Sequence, residues 1–130
     1  MKFARSVFTL ILLGSICSAN AFSQAAGKQY ELYSWKSKSS WHYSLIEGPN
    51  RVTSYEQVTA NQLLARGTDE IERMLRKLQR GDRVAWMSGL PAGAKLPPDV
   101  LQTDFKHPSR SRIKHVLGYC KKRGIRMTLQ

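Results

Sequence analysis

The sequence predicts a small α/β domain: a mixed sheet of about four strands, opened by a β-hairpin, with helices packed on it. Two observations carry this. A helix-then-strand unit occurs twice, and a pair of aromatic-rich strands comes before it. The first unit is a helix over residues 71–81 and a strand over 83–87; the second is a helix over 113–124 and a strand over 125–129. In both helices apolar residues fall at i, i+3, i+4 and i+7: Ile71, Met74, Leu75 and Leu78, then Ile113, Val116, Leu117 and Cys120. That spacing draws one apolar stripe along a helix, so each helix has a face to bury. A strand, a crossover helix and a second strand imply a parallel pair.

The chain ahead of these units reads in order. Lys2 and Arg5 open a positive start, residues 6–18 are mostly apolar, and Ala19-Asn20-Ala21 places small residues where a signal peptidase reads them. Residues 1–21 are therefore expected to be a secretory signal peptide, with cleavage after Ala21 and a second site after Ala25. The apolar run is shorter than the roughly 20 residues that a membrane span needs. A lipoprotein signal requires a small residue before its cysteine, and Ile16 stands before Cys17, which argues against lipid anchoring. The expected location is the periplasm or the exterior. Residues 22–29 form a lead of small and polar residues, and residues 30–130 form one domain.

Residues 30–35 and 41–46 are rich in strand-favouring aromatics and form a hairpin with a five-residue connection. In the second strand Trp41, Tyr43 and Leu45 share a face. Either Tyr30 and Leu32, or Tyr33 and Trp35, join them from the first. Residues 47–51 (Glu-Gly-Pro-Asn-Arg) make a turn. Thr53 and Glu56 are spaced as a capping box for a short helix, and residues 59–67 carry no clear pattern. Thr68 is expected to cap the first repeat helix. Asp69, Glu70 and Glu72 lie at its positive end and Arg76, Lys77 and Arg80 at its negative end, with Asp69/Arg73 and Glu72/Arg76 spaced four apart. These charges read as a solvated face. Residues 88–109 form a long connection holding four of the five prolines, with a short helix expected from Pro97 through Leu101. Ser109 caps the second repeat helix, in which Gly118 would let the helix approach the sheet closely.

Several segments of this chain resemble a family of small exported bacterial proteins of uncharacterised function. They are Glu31-Leu-Tyr-Ser-Trp35, Trp41-His-Tyr-Ser-Leu45, Gly48-x-Asn50-Arg51, Val84-Ala-Trp86 and the closing Tyr119-Cys120 with Gly124-Ile125. The resemblance spans most of residues 30–127 and implies export and one compact domain; it brings no catalytic residue. The connection at 36–40 lacks the glycine that the family's pattern places before Trp41.

The charge is the strongest functional signal. The chain carries 21 Lys and Arg against 9 Asp and Glu, and only Lys2 and Arg5 leave with the signal peptide. Between Phe105 and Gln130 there are eight basic residues and no acidic one. A one-signed segment attracts anionic partners. The expected role is therefore non-catalytic binding of an anionic envelope polymer, lipid head group or acidic protein. The candidate anion site is Ser109, Arg110, Arg112, Lys114, Lys121, Lys122 and Arg123, and it includes the free amides that begin the second repeat helix. A protein–protein module, such as an inhibitor or immunity protein, is the alternative. A small hydrolase would use the long loop, where Trp86, Ser88, Asp104 and His107 gather at a strand's carboxyl end. His42, His107 and His115 show no metal-ligand spacing, no phosphate loop or nucleophile motif occurs, and no cofactor is expected. No nucleic-acid-binding module is recognised. Cys120, the one cysteine after residue 21, reads as a buried stripe residue rather than a nucleophile or an intermolecular bridge.

Overall fold

The computed structural model describes residues 27–48, 52–61, 63–100 and 104–130, and only the backbone of Thr68 and Asp69. The expected signal peptide with Cys17, residues 22–26 of the expected lead, residues 49–51 of the expected turn and Leu101 lie outside these.

The elements are β1 (Gln29–Ser37), β2 (Ser40–Gly48), α1 (Tyr55–Thr59), β3 (Leu63–Arg66), α2 (Thr68–Leu75), β4 (Arg83–Met87), α3 (Arg110–Arg123) and β5 (Arg126–Leu129). They form a mixed α/β domain on one five-stranded sheet, in the order β3-β2-β1-β4-β5. β1–β2 and β2–β3 pair antiparallel, and β4 runs parallel to both β1 and β5.

The fifth strand is β3, in the stretch that carries no sequence pattern. It has four residues and buries only Ala65, too little for an alternation to show. Its pairing with β2 makes it a strand.

β1 starts at Gln29, one residue earlier than the sequence suggests, and the hairpin connection is two residues long instead of five. Ser37 pairs with Ser40, and Lys38 takes φ +58, the single positive φ of a non-glycine residue among those described. Two-residue hairpin turns need positive φ to match the strand twist, and here Lys38 takes it without a glycine. The register pairs Leu32 with Leu45 and Ser34 with Tyr43. Tyr30 and Leu32 thus share a face with Trp41, Tyr43 and Leu45, and Tyr33 and Trp35 face the other way.

Both faces are covered at the centre of the sheet. On one, Leu32, Tyr43, Leu45, Val84 and Trp86 meet Ile71, Met74, Leu75 and Leu78 of the first repeat and Val116 and Cys120 of the second. The two apolar stripes therefore lie on the same side. On the other face Tyr33, Trp35 and Ile46 are covered by Val52, Val58 of α1 and Phe105 of the long loop. Double coverage explains the four successive buried residues in each hairpin strand.

Helix ends depart from the sequence reading at several points. α2 ends at Leu75, not at residue 81, because the chain tightens into turns (Leu78 N–H to Leu75 O, 3.0 Å) that lead into β4. The buried Asp82 carboxylate fixes those turns by accepting from the Gln79 amide (2.7 Å) and the Lys28 amide (3.1 Å). The cap of α2 is Gly67 at φ +79, not Thr68: its N–H still belongs to the β ladder (2.8 Å to Trp41 O), so the chain must swing sharply out of β3. The α1 capping box sits one residue later than expected. Ser54 Oγ accepts from the Gln57 amide (3.2 Å), and Gln57 Oε1 accepts from Thr53 N–H (2.9 Å). Residues 97–100 form a turn rather than a helix start, closed by Val100 N–H to Pro97 O (3.0 Å). Gly118 is exposed and a Cβ there would meet nothing within 4 Å, so it serves no close approach. α3 ends in a Schellman pair, Ile125 N–H to Cys120 O (2.9 Å) and Gly124 N–H to Lys121 O (3.1 Å), with Gly124 at φ +75. The glycines that close the two repeats meet: Gly81 donates to Gly124 O at 2.9 Å.

Candidate functional site

β4 pairs with β1 only as far as Tyr33. Beyond it, residues 105–107 occupy the vacated lane: Trp35 and Phe105 form an antiparallel bridge, and Lys106 N–H donates to Ser34 O (2.9 Å). Ser34 is buried in the middle of β1, and its hydroxyl donates to Lys106 O (2.6 Å) while accepting from Trp86 Nε1 (2.9 Å). His107 Nε2 lies 2.9 Å from Trp86 O, with its ring at 5.7 Å from the indole. Ser88 Oγ donates to Gln130 O (2.9 Å).

The loop residues singled out from the sequence are thus partly brought together, but as fastenings. Trp86 is wholly buried, and His107 and Ser88 tie the loop to β4 and to the chain after β5. Asp104 sits apart, near Tyr55, whose phenol is pushed up by burial and by Asp104 and Asp99. Among the described residues neither Asp104 nor Ser109 bonds the His107 ring, so the acid/base grouping is not assembled. Nor do any three His, Cys, Asp or Glu among these residues cluster as metal ligands would.

The basic candidates spread along α3. Its 14 residues span roughly 20 Å at about 1.5 Å per residue. Ser109, Arg110 and Arg112 stand at one end and Lys121, Lys122 and Arg123 at the other, so they form a surface rather than a single pocket. Ser109 holds the N-cap position, but its hydroxyl meets Ser111 Oγ (3.3 Å) and not a helix amide. Two of the seven point inward. Arg112 faces Tyr43, whose phenol burial pushes up and the guanidinium pulls back down. Arg123 Nη1 and Nη2 donate to Leu75 O (3.4 Å) and Leu78 O (3.3 Å), and Nη1 also donates to Tyr119 Oη (3.3 Å). Arg123 therefore braces the end of α2. Arg110, Lys114, Lys121 and Lys122 remain exposed.

Across the α2–α3 seam Glu72 turns to His115 (Oε2 to Nε2, 2.6 Å) rather than to Arg76. Cys120 is buried on the helix stripe, and burial pushes its thiol up to about 11, which keeps it protonated and weakly nucleophilic at neutral pH. Sequence reasoning missed one neighbour of the basic surface. Arg83 pairs with Arg126 across β4 and β5, so the two project side by side from the sheet face away from α3. Only strand register reveals that.

Fold and surface together define a small mixed α/β domain with a basic exterior along its last helix and strand. No helix among the described residues is long and apolar enough to cross a membrane. No family model, curated protein or solved structure matches the chain.

Proposed function

We propose that this is a non-catalytic exported protein that binds an anionic partner through the α3–β5 exterior. The export signal at residues 1–21 and the resemblance to small exported bacterial proteins support the location. One observation carries the binding: Arg110, Lys114, Lys121, Lys122 and Arg126 have no ion pair among the described residues. The ion pairs observed involve other groups, Lys28 with Glu47 (3.9 Å) and His115 with Glu72. Arg110, Lys114 and Lys121 are spaced four and seven apart, so they line one stripe of α3 with Leu117 between them. Their attraction acts over roughly 8 Å at physiological salt and weakens as salt rises.

Retention on a phosphate-bearing resin tests the assignment to this face. Arg110→Glu/Lys114→Glu/Lys121→Glu should elute at clearly lower salt than Arg73→Glu/Arg76→Glu/Lys77→Glu, which changes the net charge equally around α2. Equal elution of the two would mean that overall charge, not this surface, does the binding, and the proposal would fail.

A further inference from the structure

Two strands bound the sheet, β3 and β5, and their outer edges differ. On β3, where the amides of Leu64 and Arg66 point outward, Glu70 Oε2 accepts from the Arg66 amide (3.0 Å). A side chain thus occupies one of the two outward donors of that edge. β5 has no such cover among the described residues. Its inner side is set by Arg126 N–H to Asp82 O (2.9 Å) and Gln130 N–H to Trp86 O (2.8 Å). Backbone groups alternate along a strand, so those of Met127 and Leu129 point outward. Such a row is a template for another strand.

A groove lies on each side of this edge. On the helix side it holds about 600 Å³ and is lined by Leu117, Ile125 and Met127 with Lys121 at the rim. On the other face it holds about 300 Å³, with Ala85 and Thr128 as a low floor next to the Arg83 and Arg126 pair. Like charges side by side on neighbouring strands destabilise a sheet. The nearby carboxylates are engaged elsewhere: Glu31 accepts from the Tyr33 hydroxyl (3.1 Å), and Asp82 accepts from two amides.

We propose that the outer edge of β5 takes up an extended acidic segment of a partner protein by β-strand addition. Carboxylates at alternate positions meet Arg126 and Arg83, and the residues between them enter the Leu117–Met127 groove. This rests on the reading that the partner is anionic, and it names the partner's chemistry. A polyphosphate or an anionic lipid would satisfy the cations. Neither presents the alternating donors and acceptors that would match the outward N–H and C=O groups beside Leu129, which is 45% exposed. A strand uses all three.

The probe is a blocked peptide, Val-Glu-Val-Glu-Val-Glu-Val, titrated into the purified protein beside an analogue N-methylated at alternate amides and beside inorganic polyphosphate. The peptide should bind saturably, slow hydrogen exchange at the Met127 and Leu129 amides, and bind at least tenfold more tightly than the N-methylated analogue. Leu129→Pro should weaken it at least tenfold. That N–H faces away from β4, so the ladder survives, as proline is tolerated on an edge. Arg126→Glu should do the same and leaves the backbone untouched should the proline variant fold poorly. The inference falls if the N-methylated peptide binds equally, or if the protected amides are those of Leu64 and Arg66. Binding of polyphosphate but not of peptide also overturns it and leaves the broader anionic reading standing. Binding of neither ends both.

Discussion

Single side chains decide how this sheet is covered, and two buried serines show how. Ser34 and Ser44 sit mid-strand, where an apolar residue would ordinarily fill the core. A buried hydroxyl without partners is costly. Each serine instead ties a covering segment to the sheet: Ser34 holds Lys106 of the long loop and the Trp86 indole, and Ser44 donates to Val58 O of α1 (2.9 Å). Replacing Ser34 with alanine strands the buried Trp86 N–H and leaves Lys106 O one donor short. Stranding a buried polar group costs about 1–3 kcal/mol. Ser34→Ala should therefore lower the stability measured by urea unfolding by that amount. It should also loosen residues 105–107, seen as faster hydrogen exchange at the Lys106 amide. An unchanged urea midpoint would show that the loop is held by Phe105 packing alone.

At the scale of elements, the two repeats are locked to each other, and the lock was only half legible in the sequence. The stripes Ile71–Leu78 and Ile113–Cys120 announced two helices with one buried face each, because 3.6-residue periodicity is a property of the chain itself. Strand β3 and the early end of α2 were not legible, because they depend on partners distant in sequence. β3 exists through its pairing with β2, and α2 stops where Asp82 and Arg123 capture its following turns. The same holds for the candidate site. The charge run of the last 26 residues points to α3 and β5, but no pattern could say that Arg123 is turned inward or that Arg83 stands beside Arg126. Arg123→Ala removes the donors to Leu75 O and Leu78 O and the cation over the Tyr119 ring, at 5.8 Å. Charged hydrogen bonds to backbone contribute about 1.5–3 kcal/mol when buried, and these are long and half-exposed, so a loss of about 1 kcal/mol is expected. Lys122→Ala, an equal charge change one residue away, should cost less than about 0.5 kcal/mol. If both cost the same in urea unfolding, Arg123 is one more surface cation and belongs with the binding face after all.

For the molecule as a whole, the imbalance of charge is itself an energetic state. Most cations described are unpaired, and neighbours such as Arg83 and Arg126 repel across adjacent strands. Self-repulsion of a strongly basic chain opposes the compact state, and mobile ions relieve it by screening. Thermal stability should therefore rise as sodium chloride goes from about 20 mM to about 300 mM, across which the Debye length falls from roughly 20 Å to roughly 6 Å. Arg126→Gln should raise the midpoint at low salt and shrink the salt response, because it removes one of two cations held side by side. An anionic partner would do locally what salt does everywhere, and would add directional contacts that salt cannot make. Binding and stability are in this way coupled through the same side chains: what binds the folded form stabilises it. A midpoint that falls with salt would mean that the cations are already balanced by carboxylates at longer range. The surface that the proposed function relies on would then hold no surplus attraction.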